Sequence, residues 1–190
     1  ARRIEWRAPS SAQAQTHDQK RLRAQPMSAL WTPAYIAIGS NLDDPQAQVL
    51  AAFDSLAGLD RCRLVCRSRL YRTVPLGPQE QPDFVNAAAG LLTQLAAHEL
   101  LVRLKALEKT IGRQSPVVRW GPRRIDFDLS VFGAERVNEA DLTIPHPGVP
   151  VRNFVLYPLA DIAPDLFVPG HGRVRELAER VGRAGLAPIS

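Results

Sequence analysis

Two aspartates one residue apart, Asp126 and Asp128, have the types and spacing that could hold a metal ion. They alternate with Ile125, Phe127 and Leu129, a pattern that predicts a half-buried β-strand. Residues i and i+2 of a strand share a face, so both carboxylates project together, about 7 Å apart. At that distance they repel by about 2 kcal/mol at an effective dielectric of 20, and a bound cation removes that cost. Hard oxygen ligands without a neighbouring cysteine or histidine favour magnesium over zinc.

Arginines precede this acidic pair. Arg119, Arg123 and Arg124 flank a Gly121–Pro122 turn. Guanidinium groups suit phosphate oxygens. Acids for magnesium beside arginines for phosphate are the components of a nucleotide-dependent phosphoryl-transfer site. The alternative is a solvated D-x-D pair with the arginines as its salt-bridge partners, and a short motif taken alone leaves both interpretations open.

Charge is distributed unevenly along the 190 residues, which suffice for one domain and a tail. Residues 1–33 carry six Lys and Arg against two acids, whereas the remainder carries 18 against 17. We predict that 1–33 is a disordered extension, with a short amphipathic helix around Gln13–Arg23 as the alternative. Met27, the only methionine, is a candidate for the natural start. Residues 34–190 then form a single catalytic domain, whose near-neutral charge argues against nucleic-acid binding.

Cysteine usage and hydropathy predict the compartment. Cys62 and Cys66 would lie about 13 Å apart on a strand, too far for an undistorted disulfide. Free thiols are typical of a reducing compartment. No apolar run approaches the length of a membrane span. We expect a cytoplasmic, soluble monomer that binds small molecules and has neither nucleic acid nor membrane as a partner.

The elements that must position the acidic pair follow from periodicity and turn residues. Strands are predicted at Ala34–Gly39, at 62–72 as one long strand, at Phe84–Leu92 and around Asp126; helices are predicted from Asp44–Pro45 to Gly58, from Ala97 to Gly112, and at Val174–Val181. The order is β-α-β-β-α-β with C-terminal additions. It predicts an α+β, ferredoxin-like fold, in which helices pack on one face of an antiparallel sheet.

Six segments carry a family resemblance. They are Tyr35–Leu42, Tyr71–Gly77, Phe84–Ala88, Arg119–Leu129, Ile144–Pro147 and Phe154–Leu159. Across residues 34–170 the sequence resembles the 6-hydroxymethyl-7,8-dihydropterin pyrophosphokinases of folate biosynthesis. Each segment is modest alone, but six in register along one chain form a specific match.

The resemblance implies that a pyrophosphoryl group moves from ATP, the co-substrate, to the hydroxymethyl oxygen of the pterin, leaving AMP. It implies two Mg²⁺ ions on Asp126 and Asp128, with Arg113, Arg123 and His146 as further catalytic residues. The residues implied for ATP binding are Glu108, Arg113, Trp120, Arg123, Leu129, Thr143, His146 and Arg152. Those implied for the pterin are Thr73, Val74, Pro75, Leu76, Gly77, Phe84, Asn86, Trp120 and Phe154. Aromatic faces and a donor–acceptor edge suit a flat heterocycle.

Three positions depart from the family pattern. Phe127 stands at a usually aliphatic site on the core face, where it changes packing and not chemistry. Ser115 and Lys105 stand where some relatives have a basic residue and a glutamine, so Ser115 is left out of the predicted site. We expect that no second folate-pathway domain follows Ser190 and that the enzyme is monofunctional. Two other functions compete with this prediction. A non-catalytic ferredoxin-like binding module would not need all these motifs together, and a two-metal hydrolase would usually show more carboxylate or histidine ligands.

Overall fold

The computed structural model describes residues 30–76, 80–112 and 121–189. The predicted extension lies almost entirely outside these residues. Within them the main sheet comprises β1 (Thr32–Ser40), β2 (Cys62–Arg67), β3 (Leu70–Thr73), β4 (Phe84–Thr93), β5 (Asp126–Phe132) and β10 (Leu186–Ile189). The helices are α1 (Pro45–Ala57), α2 (Ala97–Ile111), α3 (Asn153–Ile162) and α4 (Val174–Val181). Two short ribbons pair β6 (Val137–Asn138) with β7 (Thr143–Ile144), and β8 (Phe167–Val168) with β9 (Gly172–Arg173).

The sheet is antiparallel throughout, in the order β10-β3-β4-β1-β5, and β2 also pairs with β4. Helices α1 and α2 pack on one face, whereas α3 and α4 pack on the other. The predicted α+β class, an antiparallel sheet covered by helices, is confirmed. The C-terminal additions cover the face that the sequence-based prediction left open.

Successive side chains of β1 face the two helical layers in turn. Ala34, Ile36 and Ile38 are buried in the core that α1 and α2 form, whereas Tyr35 and Ala37 face α3. Burying a large aliphatic side chain stabilises a fold by about 1.5–3 kcal/mol. The regular alternation therefore specifies which face of β1, and of the strands beside it, meets each helical layer.

Both predicted helix boundaries near the site follow the expected capping. The Asp44 carboxylate accepts a hydrogen bond from the Ala47 amide at 3.1 Å, and Pro45 opens α1. Gly112 ends α2 in the left-handed region, at φ 100°, where glycine carries no steric penalty. Strand β1 begins at Thr32, two residues earlier than the predicted boundary at residue 34.

The single long strand predicted over residues 62–72 is wrong, because it breaks after Arg67. At the break Ser68 forms two hydrogen bonds with Ala88 of β4. The Ser68 amide donates to the Ala88 carbonyl at 2.9 Å, and the Ser68 Oγ accepts from the Ala88 amide at 2.8 Å. The alternation resumes out of phase. Tyr71, which one continuous strand would place on the same exposed face as Val65 and Arg67, is therefore fully buried, and its hydroxyl donates to Asp161 of α3 at 2.9 Å.

The two cysteines are free thiols, as predicted, with Cys62 buried and Cys66 half-buried. Burial raises the pKa of both thiols. None of the helices in the described part of the chain has the length and apolar character needed to cross a bilayer.

Candidate active site

Strand β5 presents the acidic pair to the face that α3 covers. Asp126 pairs with Gly39 of β1, and Asp128 pairs with Ala37. Phe127, between them, points to the opposite face and is fully buried. Because the two cross-strand neighbours are the smallest side chains available, the sheet surface beside the carboxylates stays open.

A cleft that is partly open to solvent lies over this surface. Its walls bring together ten of the residues predicted for the site: Thr73, Val74, Leu76, Phe84, Asn86, Arg123, Asp126, Asp128, Arg152 and Phe154. Ala37, Ile38, Gly39 and Val155 line it as well. In the ladder Gly39 stands between Asp126 and Asn86, so these two lie two strand spacings apart, about 10 Å. A flat ring with a short substituent fits between them.

Asn86 supplies an oriented amide at one end of the cleft. Its Nδ2 donates to Thr73 Oγ1 at 2.7 Å, which leaves the carbonyl Oδ1 on the side of Gly39. A Cβ at Gly39 would lie 3.2 Å from that oxygen, so glycine keeps it accessible. Phe84 and Phe154 supply aromatic surface to the same walls. The Arg152 guanidinium lies 5.8 Å from the centre of the Phe154 ring, within cation–π range.

Positive groups surround the acidic pair. The Arg123 guanidinium bonds to Asp126 Oδ2, and Lys105 Nζ lies 3.7 Å from Asp126 Oδ1. Burial, followed by the charge of Asp126, raises the pKa of Asp128, and His146, Lys105 and Arg123 only partly offset this. Burial and the neighbouring negative charge thus disfavour the charged form of Asp128, and a bound cation would stabilise it. Two adjacent carboxylates of this kind fit a hard divalent ion such as Mg²⁺.

His146 is attached to the acidic strand through a bulge. The pairing of β5 with β1 shifts register around Ser130, and the Ser130 carbonyl accepts the His146 amide at 2.9 Å. The Gly148 amide donates to His146 Nδ1 at 3.0 Å, so the neutral imidazole carries its proton on Nε2. A Cβ at Gly148 would lie 3.0 Å from that Nδ1 and 2.9 Å from Arg152 Cδ. Glycine thus allows the His146 and Arg152 side chains both to lie close to the backbone at this position.

Glu108 lies behind the acidic strand and not on the wall of the cleft. It is 2 % exposed, and its Oε1 accepts from the Phe127 amide and from Lys105 Nζ, each at 2.7 Å. Burial raises the pKa of Glu108, against the opposing effect of Lys105. The role of Glu108 in ATP binding stays a prediction. Lys105, which the sequence analysis left out of the site, lies nearer to the acidic pair.

Asn41 is a second residue that sequence reasoning missed. Its side chain is 1 % exposed and bonds to two segments at once. Oδ1 accepts from the Arg123 amide at 2.8 Å, and Nδ2 donates to Gln81 Oε1 at 3.1 Å and to the Pro82 carbonyl at 3.0 Å. Asn41 therefore links the arginine beside the acidic pair to the connection that leads into β4. In the sequence Asn41 lies in a Gly-Ser-Asn turn after a buried strand, within the segment Tyr35–Leu42 that carries part of the family resemblance.

The other predicted site residues are distributed as follows. Leu129 is buried on the opposite face of β5, Thr143 is half-buried in β7, and Pro75 is buried beside the cleft residues Val74 and Leu76. Gly77, Arg113 and Trp120 lie outside the described residues. The roles assigned to all of these stay predictions.

An acidic pair beside arginine and histidine, opening into an aromatic cleft on an antiparallel sheet, is the arrangement of a metal-dependent phosphoryl-transfer enzyme. The family described as 7,8-dihydro-6-hydroxymethylpterin-pyrophosphokinase (HPPK) matches residues 35–164. The chain belongs to this family.

Curated relatives agree with this assignment, and solved structures share the fold. A 2-amino-4-hydroxy-6-hydroxymethyldihydropteridine pyrophosphokinase of Pseudomonas aeruginosa is 47% identical over 143 residues, which cover 75% of this chain and 88% of the relative. One of Haemophilus influenzae is 42% identical, with coverage of 77% and 91%. The fold is similar to that of Plasmodium falciparum HPPK-DHPS, with a TM-score of 0.63 at 15% identity. That similarity covers 80% of this chain but only 42% of the Plasmodium chain.

Proposed function

We propose that this protein transfers pyrophosphate from ATP to the 6-hydroxymethyl oxygen of 6-hydroxymethyl-7,8-dihydropterin, a step of folate biosynthesis, and that two Mg²⁺ ions act at Asp126 and Asp128. The observation that carries the proposal is one continuous cleft, in which an oriented amide and aromatic walls lie about 10 Å from the acidic pair. This separation suits a pterin ring whose hydroxymethyl arm reaches towards the carboxylates.

The pterin is held at the Asn86 end of the cleft. Phe84 and Phe154 offer ring faces for stacking, and Asn86 Oδ1 accepts a hydrogen bond from the amino or ring N–H edge of the pterin. Thr73 keeps that amide in the required orientation. With the ring fixed at this end, the hydroxymethyl oxygen is directed along the sheet towards Asp126.

The triphosphate is held by the positive groups at the other end. Arg123 and Arg152 line the cleft and suit phosphate oxygens. His146 accepts the Gly148 amide at Nδ1, so its Nε2 proton can be donated to a further phosphate oxygen. Asp126 and Asp128 would hold Mg²⁺, which when bound neutralises charge on the phosphates and on the attacking oxygen. The new bond joins the pterin oxygen to the β-phosphorus. The bond from that phosphorus to the α,β-bridging oxygen breaks, AMP leaves, and the hydroxyl proton is released.

A non-catalytic binding module of the same fold is not favoured. A binding module would not need Asp126, Asp128, Arg123 and Arg152 together on the walls of one cleft, and this convergence of acidic and basic groups supports catalysis instead. We further propose that the protein acts as a cytoplasmic monomer. The free thiols support a reducing compartment, and the helices on both faces of the sheet support a self-contained unit.

Substituting each aspartate tests the metal assignment. Asp126→Asn and Asp128→Asn keep the shape of the strand face but remove the charge that attracts Mg²⁺. We expect pterin-dependent AMP release to fall on the order of 100-fold or more in each variant, with folding retained. Asp54→Asn, an exposed aspartate of α1, is the matched control and should match the wild type. Near-normal activity of either site variant at saturating Mg²⁺ would show that the metal assignment is wrong.

A further inference from the structure

The backbone between the two carboxylates is held by side chains of α2. The Phe127 amide donates to Glu108 Oε1 at 2.7 Å, and the Phe127 carbonyl accepts from Lys105 Nζ at 3.0 Å. These two groups belong to the two peptide units that separate Asp126 from Asp128. Each peptide unit of the acidic segment is therefore fixed by one side chain of the helix.

The position of β5 in the sheet explains why such contacts are possible. Among the described strands β5 pairs only with β1, so it forms an edge of the sheet. Phe127 stands opposite Ile38 of β1, and its amide and carbonyl bond to side chains of α2. Exposed edge groups of this kind are satisfied by water or by a covering element. Here the side chains of Lys105 and Glu108 take the place of a neighbouring strand.

Lys105 contacts both Glu108 and the acidic segment of β5. Among the residues that the structure describes, its ammonium has three acceptors within 4 Å: Glu108 Oε1 at 2.7 Å, the Phe127 carbonyl at 3.0 Å and Asp126 Oδ1 at 3.7 Å. The three N–H donors of an ammonium match three acceptors. Glu108, at 2 % exposure, lies against the Lys105 ammonium, which supplies a charge opposite to that of its carboxylate. Loss of Lys105 would thus release the Phe127 carbonyl directly and weaken the hold of Glu108 on the Phe127 amide.

We propose that Lys105 is a positioning residue for the reaction: together with Glu108 it locks the Phe127 backbone and so sets the spacing and direction of the Asp126 and Asp128 carboxylates. This inference rests on the proposed function, because it takes those carboxylates as the metal ligands. Lys105 acts through the strand and through Asp126. Groups that orient metal ligands in this way typically contribute 10–100-fold to metal affinity or activity.

The test compares Lys105→Met with Lys109→Met. Methionine keeps the length of the side chain but has neither charge nor donor. Lys109 is the matched control, since it lies on the same helix, carries the same charge and is exposed to solvent. Two quantities are measured for each protein: the turnover at saturating ATP, pterin and Mg²⁺, and the hydrogen-exchange rate of the Phe127 amide in the ligand-free protein by NMR.

We expect Lys105→Met to lower turnover by about 10–100-fold and to speed exchange of the Phe127 amide by about tenfold, since that hydrogen bond opens more often. Lys109→Met should change neither quantity by more than about twofold. Lys105→Gln keeps an amide donor on a shorter side chain, and it should recover part of both losses. It also replaces the methionine variant in both measurements if that variant does not fold.

Two results would overturn the inference. One is a Lys105→Met turnover within twofold of the wild type. The other is a fall in turnover with unchanged exchange at Phe127, which would mean that Lys105 acts on a substrate and not through the strand. A wild-type protein that forms no AMP would contradict the proposed function instead. The exchange comparison would then still decide whether Lys105 holds the acidic strand.

Discussion

Replacing Asn41 by alanine should destabilise the protein out of proportion to the size of the change. The substitution removes three hydrogen bonds, to the Arg123 amide, to Gln81 and to the Pro82 carbonyl. Each such bond contributes about 1 kcal/mol net, and a buried group left without a partner costs about 1–3 kcal/mol. We therefore expect a loss of about 3 kcal/mol, which for a domain of this size lowers the melting temperature by about 6–12 °C.

Urea unfolding of the ligand-free protein measures this loss. Gln81→Ala removes one of the three bonds of Asn41 and should cost less than Asn41→Ala. Asn138→Ala changes an exposed asparagine of β6 and should cost less than about 0.5 kcal/mol. A loss below about 1 kcal/mol for Asn41→Ala, or one equal to that of Asn138→Ala, would refute the reasoning. The backbone bond from the Asn41 amide to the Arg123 carbonyl, 3.0 Å, survives the substitution, so the segment stays attached at one point.

Two further predictions concern regions away from the cleft. Deleting residues 1–26, which lack apolar periodicity, should leave the melting temperature and turnover within error, and a clear loss of either would show that the extension supports the domain. For Asp161, burial raises the pKa, but hydrogen bonds from Arg69 and Tyr71 outweigh it and hold the pKa below its usual value. A lowered pKa stabilises the fold at neutral pH, and this contribution disappears as pH falls through the folded-state value, below about 4. Asp161→Asn should thus be less stable than the wild type at pH 7 and lose less stability on acidification; parallel urea midpoints from pH 7 to pH 2 would contradict this.

Local periodicity predicted the parts of the fold that depend on one segment at a time. Alternation located the strand of Asp126 and Asp128, and capping residues located the ends of α1 and α2. The break at Ser68 could not be predicted in this way, because its cause is a pair of hydrogen bonds with Ala88, twenty residues away. The register shift at Ser130 likewise depends on the partner strand β1.

The residues that sequence reasoning left out of the candidate site share one property. Asn41 and Lys105 act through groups distant in sequence: Asn41 through Arg123, Gln81 and Pro82, and Lys105 through Phe127. In the sequence the first is part of an ordinary turn, and the second is on the flank of an amphipathic helix. Their contacts exist only once β1, β5 and α2 are packed together, so no local pattern could identify them.

The nucleotide product tests the central claim most directly. Chromatography of one reaction with ATP, Mg²⁺ and 6-hydroxymethyl-7,8-dihydropterin separates the possible activities. Positive groups that hold an extended triphosphate over Asp126 and Asp128 favour attack at the β-phosphorus, so AMP should form, and only when the pterin is present. ADP as the main product, or nucleotide turnover without the pterin, would contradict pyrophosphoryl transfer.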